Sequence, residues 1–230
     1  MKLVLEKINK NYDKKVVLEN VNYEFEEGKI YGLLGRNGSG KTTLFNCINN
    51  DIDYTGNIYL SNDNQKYTIN NEMIGYSISE PLVPEFLTGR EFLQFFIDIN
   101  KNHIKNVKTI EEYFDMMNIN RNDIDKLLKE YSFGMKNKMQ MLVNIIMDSK
   151  ILLLDEPLTS LDVIAQDEMK QLLKEIKKDR ILILSTHIME LALDLCDEIT
   201  IINNKTLHKI DEQNKNKEYI IEYIKGTDNE

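Results

Sequence analysis

The chain has 230 residues, enough for one large domain or a domain carrying an inserted subdomain. Its 42% hydrophobic and 29% charged content is that of an ordinary globular protein. A net charge of −9 argues against a nucleic-acid surface, which needs a basic patch, and against direct electrostatic docking on an anionic membrane.

The opening MKLVLEKINK lacks the apolar stretch of a signal peptide, and no window reaches the roughly 20 apolar residues that span a bilayer. A cytoplasmic protein is expected, with any membrane role exerted through a partner. LVLEKIN, VNYEFEEG and KIYGLLG alternate like paired strands, with Gly28 supplying the turn before the third. Strand pattern resumes at NIYL (57–60) and MIGYSI (73–78). After Pro84 the periodicity becomes helical: REFLQFFIDI (90–99), IEEYFDMMNI (110–119) and MKNKMQMLVNIIM (135–147) carry apolar residues three and four apart. ILLLD (151–155) and ILILST (181–186) are continuous apolar runs of the kind buried in a parallel sheet, with an amphipathic helix between them over 163–177. A helix at 188–195 and two short strands around ITII and TLHKI come next. The charged, Asn-rich end holds an apolar cluster, Ile220, Ile221, Tyr223 and Ile224, that can dock one helical turn. Strands on both sides of a helical stretch predict one mixed sheet interrupted by a subdomain. Cys47 and Cys196 fit no metal or disulfide spacing and read as small apolar residues in a reducing compartment.

Residues 35–42, GRNGSGKT, match G-x-x-x-x-G-K-[ST] with an apolar strand running in and a helix, TTLFNCINN, leading out. Gly35, Arg36, Asn37, Gly38, Ser39, Gly40, Lys41, Thr42 and Thr43 make up the predicted nucleotide-binding stretch. Its glycines let backbone N–H groups ring the phosphates, and the helix start adds partial positive charge. Lys41 is placed to reach the β- and γ-phosphates, and the Thr42 hydroxyl to hold Mg²⁺. A Gly-rich turn with no ligand is the plainer alternative, which the flanking strand and helix disfavour.

ILLLDEP ends a buried strand in Asp155 and Glu156, where open α/β sheets place ligands. Asp155 suits a Mg²⁺ ligand, direct or through water. Glu156 suits a base that orients and deprotonates a water attacking the γ-phosphate. A solvated strand end would explain an isolated Asp-Glu pair equally well. His187 closes ILILST; alone it is more often a satisfied polar residue, but it can occupy the same sheet edge as Asp155. His103 and His208 have no such setting and are expected at the surface.

Taken together, from about residue 2 to 210, these segments resemble the ATP-binding subunit of ABC transporters. GRNGSGKT looks like Walker A, ILLLDE like Walker B, LTSLD (158–162) like the D-loop, STH like the H-loop and YSFGMKNKMQ (131–140) like the signature. The resemblance implies a P-loop NTPase core of mixed and parallel sheet, an N-terminal antiparallel β-subdomain and an inserted α-helical subdomain over about 84–148. It implies one ATPase domain over 1–215 and a charged tail over 216–230. Two ATP–Mg²⁺ would lie between two subunits, with Ser132 and Gly134 of one subunit capping the ATP held by the other. Tyr12 would stack on adenine, His187 and Lys41 would stabilise γ-phosphate charge, and Asp162 would pass contacts across the dimer. The partners implied are a second ATP-binding subunit, identical or paralogous, and a separately encoded transmembrane permease that receives the LTGREFLQFF region.

Three positions depart from the pattern. Phe133 replaces the first signature glycine, a feature familiar from the branch resembling bacitracin- and lantibiotic-resistance exporters. Ser79 stands where the Q-loop glutamine is usual, so Mg²⁺ contact there needs a bridging water or Glu80. INNKTL lacks a turn glycine, leaving Asn203 or Asn204 to take a left-handed conformation. The preferred reading is an ATPase that drives an exporter. A soluble ABC ATPase remodelling a protein scaffold, of the iron–sulfur-assembly type, and a regulatory nucleotide-binding module with weak hydrolysis are the alternatives. Too few residues separate Walker A from the signature for a DNA-repair coiled-coil arm, and no second cassette is present.

Overall fold

The computed structural model describes residues 1–63, 65–159 and 161–225. In chain order the elements are β1 (Lys2–Tyr12), β2 (Lys15–Glu26), β3 (Ile30–Leu34), α1 (Lys41–Ile48), β4 (Thr55–Asn62), β5 (Gln65–Tyr67) and β6 (Ile74–Ser77). Three helices come next, α2 (Gly89–Asn100), α3 (Ile110–Met116) and α4 (Phe133–Ile146). The remainder is β7 (Ile151–Asp155), α5 (Val163–Ile176), β8 (Ile181–Ser185), α6 (Met189–Leu195), β9 (Glu198–Asn203), β10 (Thr206–Ile210) and α7 (Lys217–Lys225).

Two sheets form. One is antiparallel, ordered β2-β1-β4-β5; the other is ordered β10-β9-β3-β8-β7-β6 and is parallel except for β10. The mixed sheet is interrupted as expected: α2, α3 and α4 intervene between β6 and β7, which are neighbours in it. The antiparallel sheet agrees with the implied β-subdomain. One expectation fails in detail. KIYGLLG does not pair with the first two strands, because β3 lies between β8 and β9. Its residues are apolar on both faces, so only a central position buries them.

The central strands explain where the two cores sit. Successive side chains on a strand point to opposite faces. Leu152, Leu154, Leu182 and Leu184 therefore join the core under the helices. Ile151, Leu153, Ile181 and Ile183 join the core against α1 and the antiparallel sheet.

The inserted helices are specified by strong local signals. Thr88 with Glu91 and Thr109 with Glu112 form reciprocal capping boxes at the starts of α2 and α3. Arg90 then forks between Asp125 (2.7 Å) and Glu111 (2.8 Å), tying α2 to α3 and to the loop beyond α3. Gly89 is required by space: a Cβ there would run into the Tyr131 hydroxyl and come within 2.7 Å of Phe114 Cζ.

The turn in INNKTL takes its left-handed pair at Asn204 (φ 46°) and Lys205 (φ 65°), the geometry of a two-residue hairpin. At the C-terminus the apolar cluster forms a longer element than one turn. The nine-residue α7 buries Ile220, packs Tyr219, Tyr223 and Ile224 against the helical core, and accepts a bond from Asn203 Nδ2 at the Tyr223 carbonyl (3.1 Å). The predicted tail therefore starts as a packed helix; residues 226–230 lie outside the described residues. His103 is exposed as expected, whereas His208 is half-buried edge-on to the Tyr223 ring at 5.7 Å. Both cysteines are buried and free, and burial pushes the Cys47 thiol up to about 11 and the Cys196 thiol up to about 12. They are unreactive packing groups.

Candidate functional site

The loop between β3 and α1 is the foundation of the site. Gly40, the last loop residue, has φ 110° and sits against Val17 and Leu18, so a side chain there would be both strained and crowded. The chain then turns into α1, whose start has no side-chain cap and whose first N–H groups, as at any helix start, lack intrahelical partners. Lys41, only 8% exposed, folds its Nζ over the loop and donates to the carbonyls of Gly35 (2.9 Å) and Arg36 (3.3 Å). Burial lowers its pKa, while Glu156 and Asp155 pull in the opposite direction. A cation held this way is predisposed to a polyanionic ligand, which restores the compensation that burial removes.

Parallel pairing brings the acidic residues to the same place. In the register of β7 with β8, Asp155 lies opposite Ser185, at the carboxyl ends of both strands. The Ser185 hydroxyl donates to Asp155 Oδ1, and the Thr42 hydroxyl donates to Oδ2 at 2.9 Å. Thr42 and Asp155 are thus two oxygen donors in contact, a set suited to a hard divalent cation.

Glu156 is one residue beyond the strand, with a left-handed backbone (φ 52°) that is uncommon for a non-glycine residue. Both its carboxylate oxygens are engaged. Oε1 is 2.9 Å from His187 Nδ1, and Oε2 accepts from the Thr159 hydroxyl at 2.9 Å. His187 is therefore brought to the acidic pair, as its place after β8 predicts.

These groups share one open cleft of about 430 Å³. Tyr12, 45% exposed, lines it together with Asn37, Gly38, Gly40, Lys41, Thr42 and Thr43. Ser79, Asp155 and Glu156 line it as well. Gly35, Arg36 and Ser39 belong to the loop but line adjoining depressions, and His187 is joined to the cleft through Glu156. Lys15 and Val17 also line the cleft, and sequence reasoning missed both. The signal for them was weak: they follow the β1–β2 turn that Tyr12 enters.

The remaining predicted residues lie elsewhere. Ser132 is exposed at the start of α4 and caps it, its Oγ accepting from Met135 N at 3.2 Å. Phe133 beside it is 48% exposed, whereas Gly134 is buried. None of the three lines the cleft of its own chain. Met139 and Met141 behind them are core residues. Asp162 caps α5 through Ala165 N at 2.9 Å, and Ser160 of the same loop lies outside the described residues.

Comparison with known proteins agrees with this geometry. A family profile described as ABC transporter matches residues 18–159. An uncharacterised ABC transporter ATP-binding protein of Methanocaldococcus jannaschii is 32% identical over 97% of this chain and 83% of its own length. The energy-coupling factor transporter ATP-binding protein EcfA1 of Thermotoga maritima is 32% identical over 90% of this chain and 80% of its own. Among solved structures, a dimeric ATP-binding cassette in a post-hydrolysis state with ADP and Pi superposes with a TM-score of 0.77 at 20% identity, covering 91% of this chain and 99% of that one. That likeness supports the fold. The matched segment includes the phosphate loop, Ser79, Asp155 and Glu156, while Tyr12, Lys15 and Val17 precede it and Ser185 and His187 follow it. The chain belongs to the ABC transporter family, as one of its ATP-binding, ATP-hydrolysing subunits.

Proposed function

We propose that two copies of this chain, or this chain and a paralogue, close on two ATP–Mg²⁺ and so drive separately encoded transmembrane subunits, in the direction of export. The observation that carries the catalytic part is the single cleft joining Tyr12, the phosphate loop, Asp155 and Glu156. Adenine stacks on Tyr12, and the loop N–H groups with Lys41 hold the β- and γ-phosphates. Thr42 and Asp155, with Ser79 through a water, would hold Mg²⁺, whose contribution when bound is to neutralise phosphate charge. Glu156 takes the proton of the attacking water, and His187 and Thr159, one on each carboxylate oxygen, fix its orientation and leave a lone pair free on each oxygen. His187 and Lys41 stabilise charge on the γ-phosphate. Ser132 and Gly134 cap the ATP of the opposite subunit, and Asp162 relays contact between the two sites.

Residues 1–215 act as the ATPase unit in this reading, with the helical insertion at about 84–148 receiving the permease. Exposed Leu82, Phe86, Phe95 and Ile99 on or beside that insertion support a protein partner there. Among the described residues no helix is long and apolar enough to cross a membrane, and the inner face of the cell membrane is the proposed location, reached through the permease. The YSFGM stretch supports export.

Affinity capture from detergent-solubilised membranes is expected to recover a polytopic membrane protein with this chain; recovery of soluble partners alone would favour the scaffold-remodelling reading. Within the cleft, Tyr12→Ala is expected to weaken ATP binding about tenfold, the usual size of one base–aromatic stack. Titration with a fluorescent ATP analogue measures this, and an unchanged affinity removes Tyr12 from the site.

A further inference from the structure

The loop carrying Ser79 is held by the last residue of the YSFGMKNKMQ stretch, one to which no role has been given. Gln140, in the middle of α4 and 8% exposed, uses both halves of its amide on the backbone of that loop. Its Nε2 donates to the Ile78 carbonyl at 2.9 Å, and its Oε1 accepts from Leu82 N at 3.0 Å. The two backbone groups bracket Ser79, Glu80 and Pro81. Without Gln140, both would lose that partner, and at half-buried Ile78 the loss is costly.

Gln140 is one member of a row. Four residues towards the helix start, Lys136 donates to Glu85 Oε1; four residues the other way, Asn144 donates to Ser77 Oγ at 3.2 Å. Positions four apart share one face of a helix, and the same face begins at Ser132. Asn144 sits so close to β6 that a Cβ on Gly75 would come within 2.9 Å of its own Cβ. One face of α4 is therefore bonded along its length to the segment from Ser77 to Glu85. At its end stands the serine assigned to the neighbour's ATP.

We propose that Gln140 is a positioning residue that locks the Ser79 loop to α4, so that the cleft of one subunit and the cap it offers to the other move as one body. Displacing Ser79 on nucleotide binding displaces Ser132 with it, because the bracket leaves the loop no independent motion. The assignment rests on the reading of Ser132 as a cap in trans. It also accounts for how a loop with a short Ser79 can report the occupancy of the cleft: the link is made by its backbone.

The test uses the full chain in the Glu156→Gln background, comparing Gln140→Leu and Gln140→Glu with that parent. Affinity for a fluorescent ATP analogue is measured at concentrations where the chain is monomeric, and ATP–Mg²⁺-driven dimerisation by sedimentation velocity. Gln140→Leu is expected to bind the analogue within about twofold of the parent but to dimerise roughly tenfold more weakly, a coupling of ordinary size between sites. Gln140→Glu keeps the acceptor for Leu82 N and loses the donor to Ile78, so an intermediate loss is expected; it carries the test alone if the leucine variant does not fold. A purely structural role would weaken binding and dimerisation together. That outcome, or dimerisation equal to the parent's, overturns the proposal. A parent that binds nucleotide yet never dimerises overturns the trans-capping reading itself, and the proposal with it.

Discussion

Glu156→Gln is expected to bind ATP–Mg²⁺ as the wild type does, to hydrolyse it about a hundred- to ten-thousand-fold more slowly, and to accumulate as an ATP-bound dimer. The substitution is nearly isosteric. An amide at position 156 can still engage Thr159 and His187, so the left-handed turn and the H-loop contact have no reason to rearrange. What is lost is the carboxylate proposed as the base; Asp155, bonded to Thr42 and Ser185, is the one proposed to hold Mg²⁺. Lys41 and the loop are untouched, so binding survives. Removing a negative charge beside the γ-phosphate also lessens repulsion, which strengthens the trapped state. Single-turnover hydrolysis and size-exclusion chromatography with ATP–Mg²⁺ read the two effects separately. Turnover at the wild-type rate would remove Glu156 from the role of base.

Much of this cleft was legible because it is built from short-range signals. GRNGSGKT demands its own backbone conformation, and ILLLD and ILILS each open with four consecutive apolar residues, the pattern of a central strand. Laid side by side in parallel, their ends place Asp155 beside Ser185 and bring His187 within reach of Glu156. Ser185 was therefore readable in principle, from the register rather than from any motif. Other parts were not legible, for a common physical reason: they depend on which elements meet. β3 reads locally like the strands before it, and only its two buried faces reveal a central position. Gln140 looks like one more polar residue on an amphipathic helix until β6 is packed against that face. Thr159 and Val17 likewise gain meaning only from the groups they meet in the folded chain. The C-terminal cluster was seen, but its extent as α7 was not, because charged residues at 217, 218, 222 and 225 hide a helix that uses one apolar face.

The departures at Ser79 and Phe133 bear on one mechanical question, how the cap reaches the phosphate. Phe133 is exposed and its backbone is already helical, so its ring can turn away from the helix start without disturbing Ser132. Gly134, the glycine that remains, is buried. In the proposed dimer the cap would be carried by a serine hydroxyl and the first N–H groups of α4, with the bulky residue at its side.

Ser132→Arg is expected to abolish hydrolysis in the homodimer, and the inactive protein should recover activity when mixed with inactive Lys41→Ala. The arithmetic of sites decides this. If Ser132 serves the opposite subunit, a mixed dimer has one site with an intact loop and an intact cap, and a second site lacking both. If Ser132 serves its own subunit, both sites of the mixed dimer are damaged and mixing restores nothing. Random pairing at equal concentrations makes mixed dimers as common as the two homodimers combined, so recovered ATPase activity is readily measured. Helix damage is the competing explanation, because losing a serine cap costs about 0.5–2 kcal/mol. Ser132→Asp separates the two. Aspartate caps a helix as well as serine does and is favoured by the helix dipole, so thermal stability should be kept. The same carboxylate would face the neighbour's γ-phosphate and repel it, so ATP-driven dimerisation should still be lost. An Asp variant that dimerises and hydrolyses normally would mean that Ser132 matters only as the first residue of α4.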